Sequence, residues 1–164
     1  PALDRGLLDG AEFNNPSSDR LLGFPDVTKV FMLQSFHQHT ECFEVIFNKA
    51  KFDALPAELQ AIVRYAAEAN SANMSWKLQD RYPKDLEEMK AKQGVKVYIT
   101  PKSVLAAQLK AWDKLYAELT KDPFFKKVAE SQAAFARRAN IYFRENEAPA
   151  AMAFDHFFGP KKKA

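Results

Sequence analysis

The chain has 164 residues, enough for about one domain with a buried core. Apolar residues make up 47% and charged residues 27%, which excludes an intrinsically disordered, collagen-like or low-complexity protein. The net charge of +3 is matched by the three lysines at positions 161–163, so the rest of the chain is close to neutral. This excludes a strongly basic nucleic-acid platform, and we expect no nucleic acid as a partner.

The first segments of the chain are short and are separated by turn residues. Residues 1–9 are typical of the end of a helix, and residues 10–13 are typical of a short strand that leads into a polar loop. Ser17 or Ser18 is then predicted to cap a short helix, which ends before Gly23. The first part of the chain is therefore expected to mix short elements with loops.

Two apolar segments that follow are predicted strands. Residues 29–33 and 42–47 combine β-branched and aromatic side chains, as buried strands do. Residues 34–41 between them are unusually polar, and we expect them to form a loop. Cys42 is the single cysteine, so no internal disulfide can form, and its apolar neighbours predict a buried side chain.

Helical periodicity dominates residues 56–147. Pro56 suits the first position of a long helix, because its missing N–H needs no partner there. This helix is predicted to continue to Gly94 with a break at Pro83. Residues 95–99 then alternate between polar and apolar side chains and predict a strand.

Two more helices are predicted after that strand. Thr100 and Asp122 are typical helix-capping residues, and each is followed by proline, which suits the first helical position. Pro149 is expected to end the second helix. An aromatic-rich segment follows at residues 152–158. The sequence therefore predicts an α/β chain with few short strands and long helices. The apolar stripes of the two helices recur every three or four residues: Leu105, Leu109, Trp112, Tyr116 and Leu119, then Phe125, Val128, Gln132, Phe135, Ala139 and Tyr142.

These stripes allow two interpretations. An amphipathic helix must bury one face, which favours packing in a core. Because the spacing is also close to a heptad repeat, a helical dimerisation module stays open as an alternative.

The polar loop contains the segment that most resembles a metal-binding cluster. On an extended chain His37, His39 and Glu41 would point to one side, and these side chains suit zinc or iron. A metalloenzyme using these three residues is therefore one alternative, and a solvated loop is the simpler one. Glu12 could act as a general base, as a ligand for a hard cation or as an ordinary surface carboxylate. No glycine-rich phosphate loop or nucleophile-elbow motif is present, so no enzyme is expected.

Five segments, taken in order, carry a resemblance to a known family. They are residues 2–12 (ALDRGLLDGAE), 22–24 (LGF), 47–60 (with NK, LP and Q), 67–70 (AEAN) and 122–127 (DPFFKK). Together they resemble the solute-binding proteins of tripartite ATP-independent periplasmic (TRAP) transporters. The match begins partway into the family's pattern, so the resemblance implies the C-terminal half of a two-lobe periplasmic binding protein.

This resemblance implies a division of the chain and a set of partners. Residues 1–55 would belong to the ligand-binding lobe with its cleft loops, and residues 56–164 would supply long connecting helices, one strand and C-terminal helices. An N-terminal half of the same protein would carry the arginine that pairs with the substrate carboxylate. The expected partners are a small organic acid, the TRAP membrane permease subunits and, through helices over 125–142 and 154–158, a second copy in a homodimer.

Within the family, the chain most resembles the branch that binds 2-oxo and 2-hydroxy monocarboxylates with a cation. The resemblance implies that the Glu12 side chain, the Phe13 backbone carbonyl and the Gln38 side chain contact Na⁺ or Ca²⁺, which prefer oxygen ligands. It also makes Phe13, Gln38 and Phe36 the expected contacts of the substrate. In an extended segment Gln38 points away from His37 and His39, so only one of the two interpretations can face a pocket, and we favour Gln38.

Overall fold

The computed structural model describes residues 1–37 and 43–160. This part of the chain is mostly helical, with two short strands, which confirms the predicted α/β class. It divides into two compact units, Pro1–Ala106 and Ala107–Ala164. The elements are α1 (Pro16–Leu21), α2 (Phe24–Val27), β1 (Val30–Met32), α3 (Lys49–Asp53), α4 (Ala57–Gln93), β2 (Lys96–Tyr98), α5 (Lys102–Leu119), α6 (Pro123–Asn146) and α7 (Ala150–Phe158).

The first residues end a helical turn, as predicted. The N–H of Leu7 donates to the carbonyl of Ala2, and the N–H of Gly6 donates to the carbonyl of Leu3. These two bonds form the Schellman motif that closes helices, and the φ of 66° at Gly6 is the left-handed conformation it requires. The strand predicted at 10–13 is wrong, because the sheet of the described residues is formed by β1 and β2 alone.

The start of α1 corrects a second prediction. The side chain of Asn15, not of Ser17 or Ser18, caps the helix by accepting the N–H of Ser18 at 2.9 Å. Pro16 occupies the first helical turn, where it costs no hydrogen bond. Gly23, with a φ of 78°, separates α1 from α2 as expected.

The core of the first unit lies where the sheet meets the end of α4. Strands β1 and β2 are parallel, and Phe31 lies opposite Val97 in the register. Phe31, Met89 and Val95 form the buried cluster, against which Phe24 packs. The strands predicted at 29–33 and 95–99 are therefore confirmed, with one residue less at each end.

The strand predicted at 42–47 is wrong for the residues that the structure describes. Residues 43–47 form no strand, and the side chains of Phe43 and Ile46 are exposed, since no neighbouring strand offers them a partner. Cys42 lies outside the described residues. Instead the short helix α3 follows, capped by Asn48, whose side chain accepts the N–H of Lys51 at 3.1 Å.

The long helix α4 is confirmed, with two corrections. Pro56 is the N-cap and Ala57 is the first helical residue, so the helix starts one residue later than predicted. The helix does not break at Pro83 but continues to Gln93. A proline removes only one helical hydrogen bond, and the turns beyond it are held by α1 and by the core. Gly94, with a φ of 70°, ends the helix as expected.

Helices α5 to α7 follow, and only one of the two predicted caps is present. The Asp122 side chain caps α6 by accepting the N–H of Phe125 at 2.6 Å, as predicted. Thr100 instead donates its hydroxyl to the carbonyl of Gln34 at 2.7 Å, and α5 begins at Lys102. The aromatic segment predicted at 152–158 is part of α7.

The apolar stripes of α5 and α6 are not buried as a packed core would require. Trp112, Phe135 and Tyr142 are at least half exposed, and Ala129 is the residue of α6 that is buried. The core-packing interpretation is therefore wrong for these side chains. Among the described residues, no helix is both long and apolar enough to cross a membrane.

Candidate functional site

A cavity of about 410 Å³ lies beside β1 in the first unit. This volume is in the range of small-molecule sites, about 300–1,000 Å³. Its wall combines the segment before α1, one residue each of α1 and α2, and the strand β1 with the chain on both sides of it. The residues that line it are Ala11, Glu12, Phe13, Asn14, Asn15, Asp19, Phe24, Thr28, Val30, Phe31, Met32, Leu33, Ser35 and His37.

Glu12 and Phe13, two of the residues predicted to bind the metal, lie together in the wall of this cavity. The Glu12 side chain is 60% exposed, and its Oε2 lies 3.9 Å from Nε2 of His37. At that separation the two side chains form a loose ion pair at most, so the carboxylate oxygens stay accessible to a ligand. The Phe13 carbonyl as a metal ligand, and its ring as a substrate contact, stay predictions.

His37 lies in the same cavity, whereas Gln38, the ligand that we favoured, lies outside the described residues. His37 lines the wall, and its N–H donates to Oγ of Ser35 at 3.0 Å. Gln38, His39 and Glu41 lie outside the described residues, so the choice between the two interpretations stays open. Phe36 is exposed and lies outside the lining of this cavity, and its contact with substrate stays a prediction.

Asp19 is a carboxylate in the cavity that the sequence analysis missed. It accepts the N–H of Asn14 at 3.4 Å, across the turn that opens α1. Burial raises the pKa of Asp19, the Asn14 bond lowers it, and the charge of Glu12 raises it further. The sequence offered one signal for Asp19 as a site residue: it lies in the first turn of the helix that was predicted to follow the Glu12 segment.

The cavity offers oxygen ligands of the kind that hard cations prefer. The carboxylates of Glu12 and Asp19 and the carbonyl of Phe13 are such groups. Across residues 1–37 and 43–160, no cluster of three or more His, Cys, Asp or Glu side chains could hold a metal. His39 and Glu41 lie outside these ranges, so the metalloenzyme alternative of His37, His39 and Glu41 stays a prediction.

A polar network joins α1 to α4. Asp85 accepts the Ser17 hydroxyl at 2.5 Å and Nη1 of Arg20 at 2.9 Å, and Nε of Arg81 lies 3.3 Å away. The second arm of the Arg20 guanidinium donates to Glu88 at 2.6 Å. The Ser17 hydroxyl, with help from Arg81 and Arg20, lowers the pKa of Asp85 against the opposing effect of burial. Arg20 likewise lowers the pKa of Glu88.

A second cavity, of about 420 Å³, lies between the chain around α3 and the first half of α4. The Arg64 guanidinium lies 5.3 Å from the ring centre of Phe52 in its wall. None of the residues predicted to bind substrate or metal lines it, so the first cavity is the better candidate.

Comparison with known proteins defines the class to which the chain belongs. Residues 1–122 match the bacterial extracellular solute-binding proteins of family 7, DctP. This match covers most of the chain, and the chain therefore belongs to that family. The resemblance to TRAP solute-binding proteins is confirmed, and proteins of this family are transport components rather than enzymes.

One curated relative within reach of this comparison has a named ligand class. The chain is similar to a monocarboxylate 2-oxoacid-binding periplasmic protein of Nostoc sp., with 27% identity over 146 residues. The aligned region covers 89% of this chain and 40% of that protein, so the chain spans well under half of its relative's length. No solved structure gives a significant match.

Proposed function

We propose that the chain forms part of the cleft of a periplasmic TRAP solute-binding protein. It captures a small 2-oxo or 2-hydroxy monocarboxylate through a bound cation and delivers it to the TRAP membrane permease. The observation that carries the proposal is the joint position of Glu12 and Phe13 in the wall of the cavity beside β1. The relative's 2-oxoacid-binding name supports the substrate class.

The chemistry of the cavity wall supports a cation between protein and substrate. A carboxylate anion loses hydration when it enters a cavity, and a bound Na⁺ or Ca²⁺ offsets that cost. Glu12 would supply a side-chain oxygen, Phe13 a backbone carbonyl and Gln38 an amide oxygen. The substrate's carboxylate and its 2-oxo or 2-hydroxy oxygen would complete the shell.

The charges in the cavity favour the same arrangement. Glu12 and Asp19 both line it, and the charge of Glu12 contributes to the raised pKa of Asp19. A cation in the cavity would reduce this repulsion between carboxylates. The apolar side chains of Phe24 and Phe31 in the wall suit the short carbon chain of a monocarboxylate.

Calorimetry on the full-length protein, with pyruvate and with lactate, tests this proposal. We expect binding that depends on added Na⁺ or Ca²⁺ and that falls at least about tenfold in Glu12→Ala and in Gln38→Ala, since each removes a ligand of the ion. Glu68→Ala and Gln79→Ala, on exposed turns of α4, are the matched controls and should bind as the unmodified protein does.

Two outcomes would contradict different parts of the proposal. Unchanged affinity in both site variants would remove the site assignment, and binding without any added cation would remove the ion. The homodimer through the C-terminal helices and the N-terminal half as a partner stay predictions that this experiment does not address.

A further inference from the structure

The wall of the cavity that carries Glu12 depends on the position of α1. Residues 11–15 lead directly into this helix, and Asn15 is its N-cap. The Asn14 N–H donates to Asp19, one turn into α1. Since the segment is tied to the first turn of α1, a movement of the helix moves Glu12 and Phe13 with it.

Helix α1 has few apolar side chains to hold it in place. Its Leu21 is 80% exposed, and the following Leu22 is also exposed. The buried side chain of the helix is Ser17, and its hydroxyl donates to Asp85 of α4. The attachment of α1 to α4 is therefore mainly polar.

Asp85 is the centre of that attachment. Its side chain is only 16% exposed, and both of its oxygens accept hydrogen bonds from α1, one from Ser17 and one from Arg20. Hydrogen bonds that involve a charged partner are stronger than neutral ones, and they are costly to lose when they are partly buried. Glu88, the other acceptor of Arg20, is more exposed and makes a smaller contribution.

We infer that Asp85 is a positioning residue for the binding cavity: it holds α1 against α4 and so fixes the segment that carries Glu12 and Phe13. This inference rests on the proposed function for its meaning, but the positioning itself can be tested without any ligand. Asp85 lies outside the lining of the cavity, so it acts through α1 and not by touching substrate.

The β1 wall of the cavity has a different support. Met89, one helical turn after Asp85, packs against Phe31 of β1 in the buried cluster. Neighbouring turns of α4 therefore hold the two walls by different means, one polar and one apolar. Removing the charge of Asp85 should loosen the Glu12 wall and leave the β1 wall in place.

Hydrogen exchange on the full-length protein measures this difference directly. In Asp85→Asn we expect amide exchange over residues 11–22 to rise about tenfold, while exchange over 30–32 stays unchanged. Asp80→Asn is the control, because Asp80 lies on the same helix and its carboxylate pairs with the exposed Lys84 at 2.7 Å. It should change neither segment. The inference would be overturned if residues 11–22 exchanged at the same rate in both variants. It would also be overturned if Asp85→Asn raised exchange over residues 30–32 as much as over residues 11–22.

A binding cycle separates positioning from general structure. Asp85→Asn should weaken the binding of pyruvate with its cation about tenfold, but cause little further loss in a Glu12→Gln background. The same loss in both backgrounds would show that Asp85 does not act through Glu12. If Asp85→Asn does not fold, Ser17→Ala removes one of the hydrogen bonds and should give the same pattern with a smaller change.

The binding and exchange experiments distinguish a failure of the proposed function from a failure of this inference. If the unmodified protein binds no 2-oxo or 2-hydroxy acid, the substrate class is wrong, yet the exchange experiment still decides whether Asp85 positions the Glu12 wall.

Discussion

The two parts of α4 behave differently although they belong to one continuous helix. Residues 57–80 leave large apolar side chains in solvent, and Trp76 is 71% exposed. Residues 81–93 include Met89, which is fully buried, and Asp85, which is largely buried. In the first part an apolar side chain, Trp76, is exposed, whereas in the second part a charged side chain, Asp85, is largely buried.

This difference shows that neighbouring elements, and not side-chain polarity alone, decide burial along the helix. The second part is covered by α1, α2 and the sheet, whereas the first part faces few described neighbours. The second part is also the one that supports both walls of the candidate cavity. Changes there should affect stability and the site, and changes in the first part should affect neither strongly.

Truncation of Met89 should have the largest effect. Met89→Ala leaves a cavity in the buried cluster with Phe31 and should cost about 2–5 kcal/mol of unfolding free energy. Met74→Ala, in the partly exposed first part of α4, should cost less than about 1 kcal/mol. Urea denaturation of the full-length protein measures both values. Equal losses would show that the two parts of the helix do not differ as described.

The end of the second part can be tested through its glycine. Gly94 has a φ of 70°, and a Cβ there would meet no atom within 4 Å, so Gly94→Ala costs only the left-handed backbone conformation. We expect a loss of about 1 kcal/mol by thermal or urea unfolding. Gly10→Ala, with equal space and no left-handed φ, is the control and should cost nothing measurable. A loss of the same size at Gly10 would contradict this explanation.

The smallest expected effect is in the pH dependence of stability. The pKa values of Asp85 and Glu88 are lowered in the folded state, so both carboxylates stabilise the fold above the ordinary carboxyl pKa of about 4. This stabilisation is lost as the pH falls through the lowered values, when Arg20 and Arg81 lose their ionised partners. Asp85→Asn should therefore make the acid loss of stability shallower.

Asp19 provides a control, because its pKa is shifted in the opposite direction from those of Asp85 and Glu88. Its pKa is raised, so proton uptake by Asp19 favours the folded state as the pH falls. Asp19→Asn should then make the acid loss steeper. Acid titrations followed by circular dichroism compare the two variants, and the same change of slope in both would contradict the assignment.

Local signals in the sequence predicted much of this fold. The Asp122–Pro123 pair, the glycine after α4 and the alternation at 95–99 each specify a structure through neighbouring residues, and the structure has all three. Residues 43–47 have the composition of a strand, but in the described part of the chain no strand lies beside them, and a strand depends on its partner. The cap of α1 was misplaced because Asn15, Ser17 and Ser18 can all cap a helix, and only the folded backbone selects one.

The candidate site was predictable only in part. Glu12 and Phe13 were identified by resemblance to a family, and the structure places both in one cavity. Asp85 gave no signal, because its partner Ser17 lies 68 positions away and their contact exists only after folding. Asp19 lies close to Glu12 in sequence, but Glu12 lies before the cap of α1, and no helix-capping rule joins the two positions.

The parallel pairing of β1 with β2 has a consequence for the order in which the chain folds. The hydroxyl of Thr100, just after β2, reaches the carbonyl of Gln34 across 66 positions of sequence. Such a loop closes slowly unless the intervening chain is already ordered, whereas helical turns form from local contacts in microseconds. Formation of α4 shortens that search, so we expect α4 to form first and the β1 side of the cavity to form after it.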